Sequence, residues 1–388
     1  MMQLVKFRLL TMKKFFSFLC ISLMLLSLQS AHALKPLRAP DGSPARVALV
    51  ISGEYSVYQK MLQAIARGLS QLQVIENGNP PIPLGTEDLT PVWQWLVDNA
   101  GGDDIQFLKD GIYDYQWGRV NQQEVTNKLL ERLKTKKDVE LIIVMGTPAS
   151  REAIAHIKDI PLLIYVSTNA VTSGLVKSAE DSGQDNVHAL IEPDRFVRQV
   201  RIFREIFGFQ RLGFAYTIGQ ERQYELSAVS KACRDRDVDF FTCEYANDKK
   251  DTGKTLDRAL ACVQHLLETN EVDAIILPHY NRPPMRKGDL PDYLIRNGIP
   301  AFSVSSSQDF ISEGLLMGLD HSNLNEQGLF EANVIRQILR GVKPRKISQI
   351  YSPRRTLVVN LTTAMMLGWN IPYDLFSSIG SVYKYHER

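Results

Sequence analysis

Polar residues directly follow two apolar runs in the first half of this sequence, where their side chains could bind a ligand. Thr147 ends the first run, and Ser167, Thr168 and Asn169 end the second. Hydroxyl groups beside the free backbone N–H groups of a helix N-terminus suit the carboxylate of a small solute. These residues therefore predict a ligand site, although each hydroxyl could instead serve only to cap its own helix.

Polar and aromatic residues end the corresponding apolar runs of the second half. His279, Tyr280 and Asn281 follow one run, and Ser305 and Ser306 follow the next. Small hydroxyl residues let a ligand approach the backbone, and the His-Tyr-Asn group offers hydrogen bonds and an aromatic ring. The second half therefore predicts a matching ligand surface. The alternative for His279 is a purely structural hydrogen bond.

Single residues elsewhere complete the predicted site. Tyr55 could stack on a ring of the ligand, and Glu54 could accept an ammonium group, unless both belong to a solvated turn. Asp320 could bind an amine, but a hydrogen bond within a hinge is the favoured alternative. The predicted ligand-binding residues are Glu54, Tyr55, Gly146, Thr147, Ala149, Ser167, Thr168, Asn169, Tyr216, His279, Tyr280, Asn281, Ser305, Ser306 and Asp320.

No pattern in the sequence points to catalysis. It lacks Gly-x-Ser-x-Gly, His-Glu-x-x-His, Cys-x-x-Cys and a phosphate-binding loop, and its seven histidines are scattered. We therefore predict no catalytic residue, no metal site and no cofactor. An enzyme built on the same frame is the alternative that a turnover assay would support.

An internal duplication organises the elements that position these residues. The runs that start at Val139 and Val272 begin alike, and each is followed by a helical pattern and an Ile-Pro step into another run. Such alternation predicts an α/β fold with parallel sheets flanked by helices. Because ligands bind at the carboxyl ends of parallel strands, we expect the site residues to face one another across a cleft between two lobes.

The segment from Asn77 to Gly118 has no clear periodicity and contains Trp93, Trp95 and Trp117. We expect a short helix around residues 92–99 and a short strand within residues 107–115 of an otherwise irregular segment. The tryptophans could cap the cleft or anchor the segment, and anchoring is favoured.

Size and composition indicate a globular protein of two domains. The chain has 388 residues, of which 44% are hydrophobic and 23% charged. Four basic residues and no acidic residue fall in the first 33 positions, so the remainder has 41 basic and 43 acidic residues. This near balance gives no reason to expect nucleic acid or an anionic membrane as a partner.

Residues 1–33 have the pattern of a secretory signal peptide. Lys13 and Lys14 precede the apolar run Phe15–Leu28, and Ala31-His32-Ala33 supplies a cleavage site. We predict cleavage after Ala33, a linker over residues 34–45 and a mature protein in the periplasm. A retained membrane anchor is the alternative.

Three cysteines follow this segment: Cys233, Cys243 and Cys262. An oxidising compartment allows one disulfide among them, and buried thiols are an equal alternative.

Several short motifs, taken in order, resemble one protein family. They are Gly146-Thr147-Pro148-Ala149, Ser173–Ser178, Gly318-Leu319-Asp320, Val358–Ala364 with Leu367-Gly368, and Ile371-Pro372. In this respect the chain resembles the type I periplasmic substrate-binding proteins of ABC transporters, in the subfamily that includes aromatic amino-acid binders. The likeness runs from about Val47 to Pro372.

The resemblance implies two Rossmann-like lobes joined by three crossovers. Lobe 1 would comprise residues 46–188 and 321–343, and lobe 2 residues 189–320 and 344–388. The chain departs from the family in the long Asn77–Gly118 segment and in a loop with Arg282, Arg286 and Lys287. Both flank the expected cleft, so the ligand class of the relatives need not apply.

The function implied is capture of a small polar solute, such as an amino acid, by closure of the lobes and its delivery to an inner-membrane ABC permease. We expect a monomer that binds a small molecule and no nucleic acid. The alternative is a sensing module whose closed form is read by a membrane receptor kinase or chemoreceptor.

Overall fold

The computed structural model describes residues 34–81, 86–167, 169–222, 224–248, 251–277, 290–303, 311–320, 324–353 and 355–384. No helix within these residues is long and apolar enough to cross a membrane.

Strands and helices alternate along most of the described chain. The strands are β1 (Ala45–Ile51), β2 (Ile105–Asp114), β3 (Leu141–Met145), β4 (Leu162–Tyr165), β5 (Val187–Ala189), β6 (Arg211–Thr217), β7 (Asp239–Tyr245), β8 (Ala274–Leu277), β9 (Ala301–Ser303), β10 (Met317–Leu319), β11 (Leu357–Asn360) and β12 (Ile379–Tyr383). The helices are α1 (Ser56–Gln71), α2 (Thr90–Asn99), α3 (Gln122–Thr135), α4 (Thr147–His156), α5 (Arg195–Phe207), α6 (Leu226–Arg234), α7 (Thr252–Asn270), α8 (Leu290–Arg296), α9 (Asn325–Leu339) and α10 (Leu361–Met366). This alternation confirms the predicted α/β class.

The first sheet has five parallel strands in the order β2-β1-β3-β4-β5. Its central strands are buried on both faces, as expected of apolar, β-branched runs in a parallel sheet. We call this sheet, with α1–α4 and α9, lobe 1.

Helix α9 joins lobe 1 although it is far away in sequence. It packs against α1, and its Ile335 and Ile338 lie in the same core as Leu49 of β1. The two helix backbones approach closely at Gly328, where an added Cβ would come within 2.3 Å of the Ala64 backbone. Burial of each large apolar side chain here contributes about 1.5–3 kcal/mol.

The second sheet has seven strands in the order β12-β11-β10-β9-β8-β6-β7. We call this sheet, with α5–α8 and α10, lobe 2. The sheet is mixed rather than purely parallel, because β11 runs antiparallel to β10. The chain returns from lobe 1 beside the end of β10, where Leu357 pairs with Leu319, so β11 must run back from that edge.

The Asn77–Gly118 segment is more regular than expected. It contributes the three-turn helix α2 and the ten-residue strand β2, which pairs with β1 at the edge of the sheet. An edge strand is only partly covered, so β2 can carry polar residues. These residues interrupt the apolar pattern from which a strand is predicted. Strands β5 and β12 were not anticipated from the sequence.

Three segments connect the lobes and are hydrogen-bonded to one another. Ile191 and Ile350 form a parallel bridge, in which Ile191 N–H donates to the Gln349 carbonyl at 2.8 Å. Asp320 N–H donates to the Thr356 carbonyl at 2.7 Å. These crossovers form a compact hinge.

Lobe 2 contains one disulfide among the described cysteines. Cys243 on β7 is bonded to Cys262 on α7, and Cys233 is a buried free thiol. Of the two alternatives left open by the sequence, the structure therefore has the single disulfide.

Candidate functional site

The carboxyl edge of the first sheet is held together by Ser52, at the end of β1. The fully buried Ser52 hydroxyl accepts the Ala149 N–H at 3.1 Å and donates to the Met145 carbonyl at 3.3 Å. These bonds tie the N-terminus of α4 to β1 and β3. Ala149 was predicted to contact the ligand, but it is buried and its N–H already has a protein acceptor, so its role here is to support the site.

Gly146 is needed for the turn from β3 into α4. Its φ is +92°, and an added Cβ would lie 2.2 Å from the Tyr58 hydroxyl and 2.5 Å from the Ser52 hydroxyl. Only glycine combines this backbone conformation with so close an approach. Gly146 also occupies the N-cap position of α4, so the capping role that was the alternative for the Thr147 hydroxyl belongs to another residue.

Thr147 begins α4 at this edge and is partly exposed. Its hydroxyl makes no hydrogen bond to another residue within the described part of the chain. Capping of α4 therefore does not account for this side chain. A hydroxyl beside a helix N-terminus can donate to a ligand carboxylate, where the helix dipole also favours negative charge.

The end of β4 has a strained backbone. Val166 adopts φ +52°, a left-handed conformation that is rare for a β-branched residue. The following Ser167 hydroxyl is buried with no hydrogen-bond partner among the described residues. Thr168 lies outside those residues. A buried hydroxyl after a strained turn is what a ligand-binding loop would provide.

Asn169 connects the two lobes. Its side-chain oxygen accepts the N–H groups of Val171 and Thr172 at 3.1 and 2.9 Å, which closes the turn after β4. Its side-chain nitrogen donates to the Glu225 carboxylate, which precedes α6 of lobe 2. Both ends of the Asn169 amide are thus occupied by protein groups.

Glu225 is a residue of this cleft that the sequence analysis missed. It is partly buried and adopts φ +52°, and burial raises the pKa of its carboxyl group. Asp194, at the start of α5, also has a left-handed backbone and lies close enough to raise that pKa further. No motif marks Glu225, because only the packing of α6 brings it opposite Asn169.

Aromatic side chains surround the end of β1. The Trp117 indole N–H donates to the Glu54 carbonyl at 2.9 Å, and the ring centroid lies 6.3 Å from that of Tyr58. Tyr55 packs edge-on against Tyr58 at 5.3 Å. An added Cβ on Gly53 would come within 2.3 Å of the Trp117 ring, so the glycine makes room for the indole.

The three tryptophans of the Asn77–Gly118 segment have different positions. Trp93 is buried, and its indole N–H donates to the Leu108 carbonyl at 2.8 Å, so it anchors the segment as expected. Trp95 is partly buried against the lobe 1 core. Trp117 is 48% exposed at the carboxyl edge of the sheet. It therefore lies where a ligand ring could contact it.

The remaining predicted residues are spread over several positions. The Glu54 side chain is exposed. Tyr216 is buried near the end of β6, where burial and then Glu244 raise its pKa. Asp320 follows β10 at the start of a crossover, and its carboxylate accepts from the Ser381 hydroxyl of β12 at 3.4 Å. The predicted residues that lie outside the described residues are Thr168, His279, Tyr280, Asn281, Ser305 and Ser306.

Comparison with protein families and solved structures identifies the fold. Residues 98–252 match the model of a family described as ABC transporter substrate binding protein. No curated protein matches the chain in sequence.

Three solved structures are similar over nearly their whole length. An ABC domain from Streptococcus pneumonia, solved in complex with L-Trp, is 17% identical with a TM-score of 0.57, and covers 87% of this chain and 99% of its own. A conserved domain protein from Vibrio cholerae is also 17% identical with a TM-score of 0.58, over 87% of this chain and 99% of its own. The substrate-binding protein CD0873 from Clostridium difficile, in a ligand-free, open structure, is 17% identical with a TM-score of 0.58, over 88% of this chain and 100% of its own.

These likenesses agree with the resemblance drawn from the sequence motifs. At 17% identity the solved structures show a common fold, and the family match concerns the segment that includes the ends of β3 and β4. The predicted two-lobed α/β fold is confirmed, and the match over residues 98–252 agrees with the predicted family.

Proposed function

We propose that this chain is a substrate-binding protein of the ABC-transporter type that captures an amino acid or a similar zwitterion between its lobes. It would then deliver the solute to an inner-membrane ABC permease. The observation that supports this most directly is the Thr147 hydroxyl at the N-terminus of α4, which has no partner among the described residues.

The cleft groups suggest how such a solute would be oriented. The hydroxyls of Thr147 and Ser167 offer donors for the carboxylate, which would also lie near the positive end of the α4 dipole. Trp117 and Tyr55 offer aromatic surface to the solute's side chain. The ammonium group would be accepted by a carboxylate at the cleft, for which Glu54 is the predicted residue. The Streptococcus structure was solved with L-Trp, so aromatic amino acids are the first solutes to test.

Binding would act through lobe closure and involve no chemical step. The hinge is formed by crossovers that are hydrogen-bonded to each other, so it can bend while both sheets remain rigid. A solute that contacts both lobes stabilises the closed form by its differential affinity for that form. The closed form would be the one that the permease recognises. This function requires export of the chain, which the signal-peptide pattern of residues 1–33 supports.

A thermal-shift screen of the mature protein tests this proposal. Amino acids, short peptides, nucleosides and organic anions would each be added at millimolar concentration. A solute at 100 times its Kd stabilises the folded state by about 2.7 kcal/mol, which gives a clear rise in Tm. Recovery of the solute unchanged would exclude turnover. If no amino acid raises the Tm while another class does, the proposed ligand class is wrong.

A further inference from the structure

The hydrogen bond from Asn169 to Glu225 links the lobes outside the three crossover segments. Asn169 follows β4 of lobe 1, and Glu225 precedes α6 of lobe 2. The crossovers hold the lobes together whether the cleft is open or closed, because they are covalent connections. A side-chain contact across the cleft differs from them, since it exists only while these two edges are close.

Both partners are fixed by their own backbone surroundings. The Asn169 side-chain oxygen is held by two N–H groups of its turn, which directs its NH₂ group away from that turn. The Glu225 carbonyl accepts the N–H groups of Ala228 and Val229 at 2.9 and 3.0 Å, so the residue is anchored to the first turn of α6. Pre-positioned groups lose little conformational freedom when they bond.

We propose that Asn169 and Glu225 form an interlobe latch that stabilises the closed arrangement of the lobes independently of any solute. The latch extends the proposed function, because the solute would then add its contacts to a closed form that already has a contact of its own. A smaller population of open molecules would then remain for the solute to convert to the closed form.

The latch is strong enough to matter for this equilibrium. Losing one side-chain hydrogen bond between two pre-positioned groups would change the ratio of open to closed lobes by roughly tenfold. An effect of this size is measurable in the free protein and would lower solute affinity by a comparable factor.

Exchange of the two side-chain types gives a sharp test. Asn169→Asp keeps the oxygen that closes the turn after β4, but it removes the NH₂ donor and places a second carboxylate opposite Glu225. Glu225→Gln keeps an acceptor for Asn169 without the charge. In the double variant N169D/E225Q, the glutamine NH₂ can donate to the aspartate, so the bond is restored with its direction reversed.

The measurement is the distance between lobes by pulsed electron paramagnetic resonance, in the mature protein without added solute. Spin labels would be attached to cysteines introduced at the exposed Lys128 on α3 and Glu268 on α7, because the native Cys233 is buried. We expect Asn169→Asp to raise the ratio of open to closed lobes about tenfold, which moves the distance distribution to longer values. Glu225→Gln keeps an acceptor and removes the charge that burial disfavours, so it should be at least as closed as the native protein. The double variant should return towards the native distribution.

Two outcomes would overturn the latch. One is an unchanged distribution in Asn169→Asp, and the other is a double variant that stays as open as Asn169→Asp while the thermal unfolding of both is native-like. If Asn169→Asp does not fold, Glu225→Ala removes the acceptor and must produce the same opening. Since the experiment uses no solute, an incorrect ligand class would leave its result unaffected.

Discussion

Thr147 is the residue on which the ligand site depends most. Its hydroxyl lies at the start of α4 and is engaged by none of the described residues. We expect Thr147→Ala to weaken solute binding by roughly tenfold, the effect of losing one hydrogen bond, and to leave stability unchanged. Calorimetric titration with the solute found in the screen would measure this. Thr147→Ser keeps the hydroxyl and should bind normally; equal affinity in the alanine variant would remove Thr147 from the site.

Gly146 supports the same edge through its backbone. Replacement by alanine combines an unfavourable φ with contact against the Tyr58 and Ser52 hydroxyls, so we expect a loss of about 2–4 kcal/mol in the free energy of unfolding. Gly219 has a similar φ of +82° and nothing within 4 Å of an added Cβ, so Gly219→Ala is the matched control for φ alone. Denaturant unfolding would compare them, and equal losses would show that close contact at Gly146 has no effect.

Helix α9 contributes a buried acid to lobe 1. Glu331 is fully buried with one carboxyl oxygen bonded to Gln327 and the other without a partner among the described residues, and burial raises its pKa from 4.5 to about 8. The carboxyl group is therefore protonated in the folded protein at neutral pH. Its unfolded form ionises near pH 4.5, so the stability it supports is complete below that pH and is lost as the pH rises through about 8.

Glu331→Gln has the same shape without the ionisable proton. We expect this variant to lose the decline in stability between pH 4.5 and 8, and to exceed the native protein at pH 8 by up to about 4 kcal/mol. Urea unfolding at pH 5 and pH 8 would measure the difference. A pH profile parallel to that of the native protein would show that Glu331 is solvated.

Sequence patterns predict buried strands better than edge strands. Buried strands such as β3 and β4 have uninterrupted apolar runs, because both faces are covered, and the run that starts at Val139 contains β3. Edge strands are exposed on one side and lack such a run. Strand β2, with Lys109, Asp110 and Gly111 in its middle, was therefore expected to be shorter and less regular than it is.

At the scale of the whole molecule, the latch links lobe closure to pH. Burial raises the Glu225 pKa, and the nearby Asp194 adds to this, whereas the Asn169 hydrogen bond and Arg195 act in the opposite direction. Opening the cleft returns the carboxyl group to water and to its ordinary value of 4.5. Closure therefore takes up a proton and should be favoured as the pH falls from neutral towards 4.5.

The interlobe distance in the spin-labelled protein at pH 7.5 and pH 5 would check this linkage. We expect a larger closed fraction at pH 5 in the native protein and no change in Glu225→Gln. A closed fraction that falls on acidification would mean that the Asn169 bond, rather than burial, determines the Glu225 pKa.

The sequence by itself determined the α/β class and indicated where one side of the candidate site would lie. Apolar periodicity is local, so the run before Thr147 indicates a strand and Gly146-Thr147-Pro148 indicates a turn into a helix. Because ligands bind at the carboxyl edge of a parallel sheet, the ends of β1, β3 and β4 are the expected ligand site.

Only the tertiary structure decided which of these groups have other partners. Ser52 occupies the Ala149 N–H, Asn169 bonds to Glu225, and Trp117 lies at the cleft edge although Trp93 anchors the same segment. These contacts join residues that are 15 to 97 positions apart in the chain. No local pattern encodes such pairs, because they arise when whole elements pack and their loops meet in space.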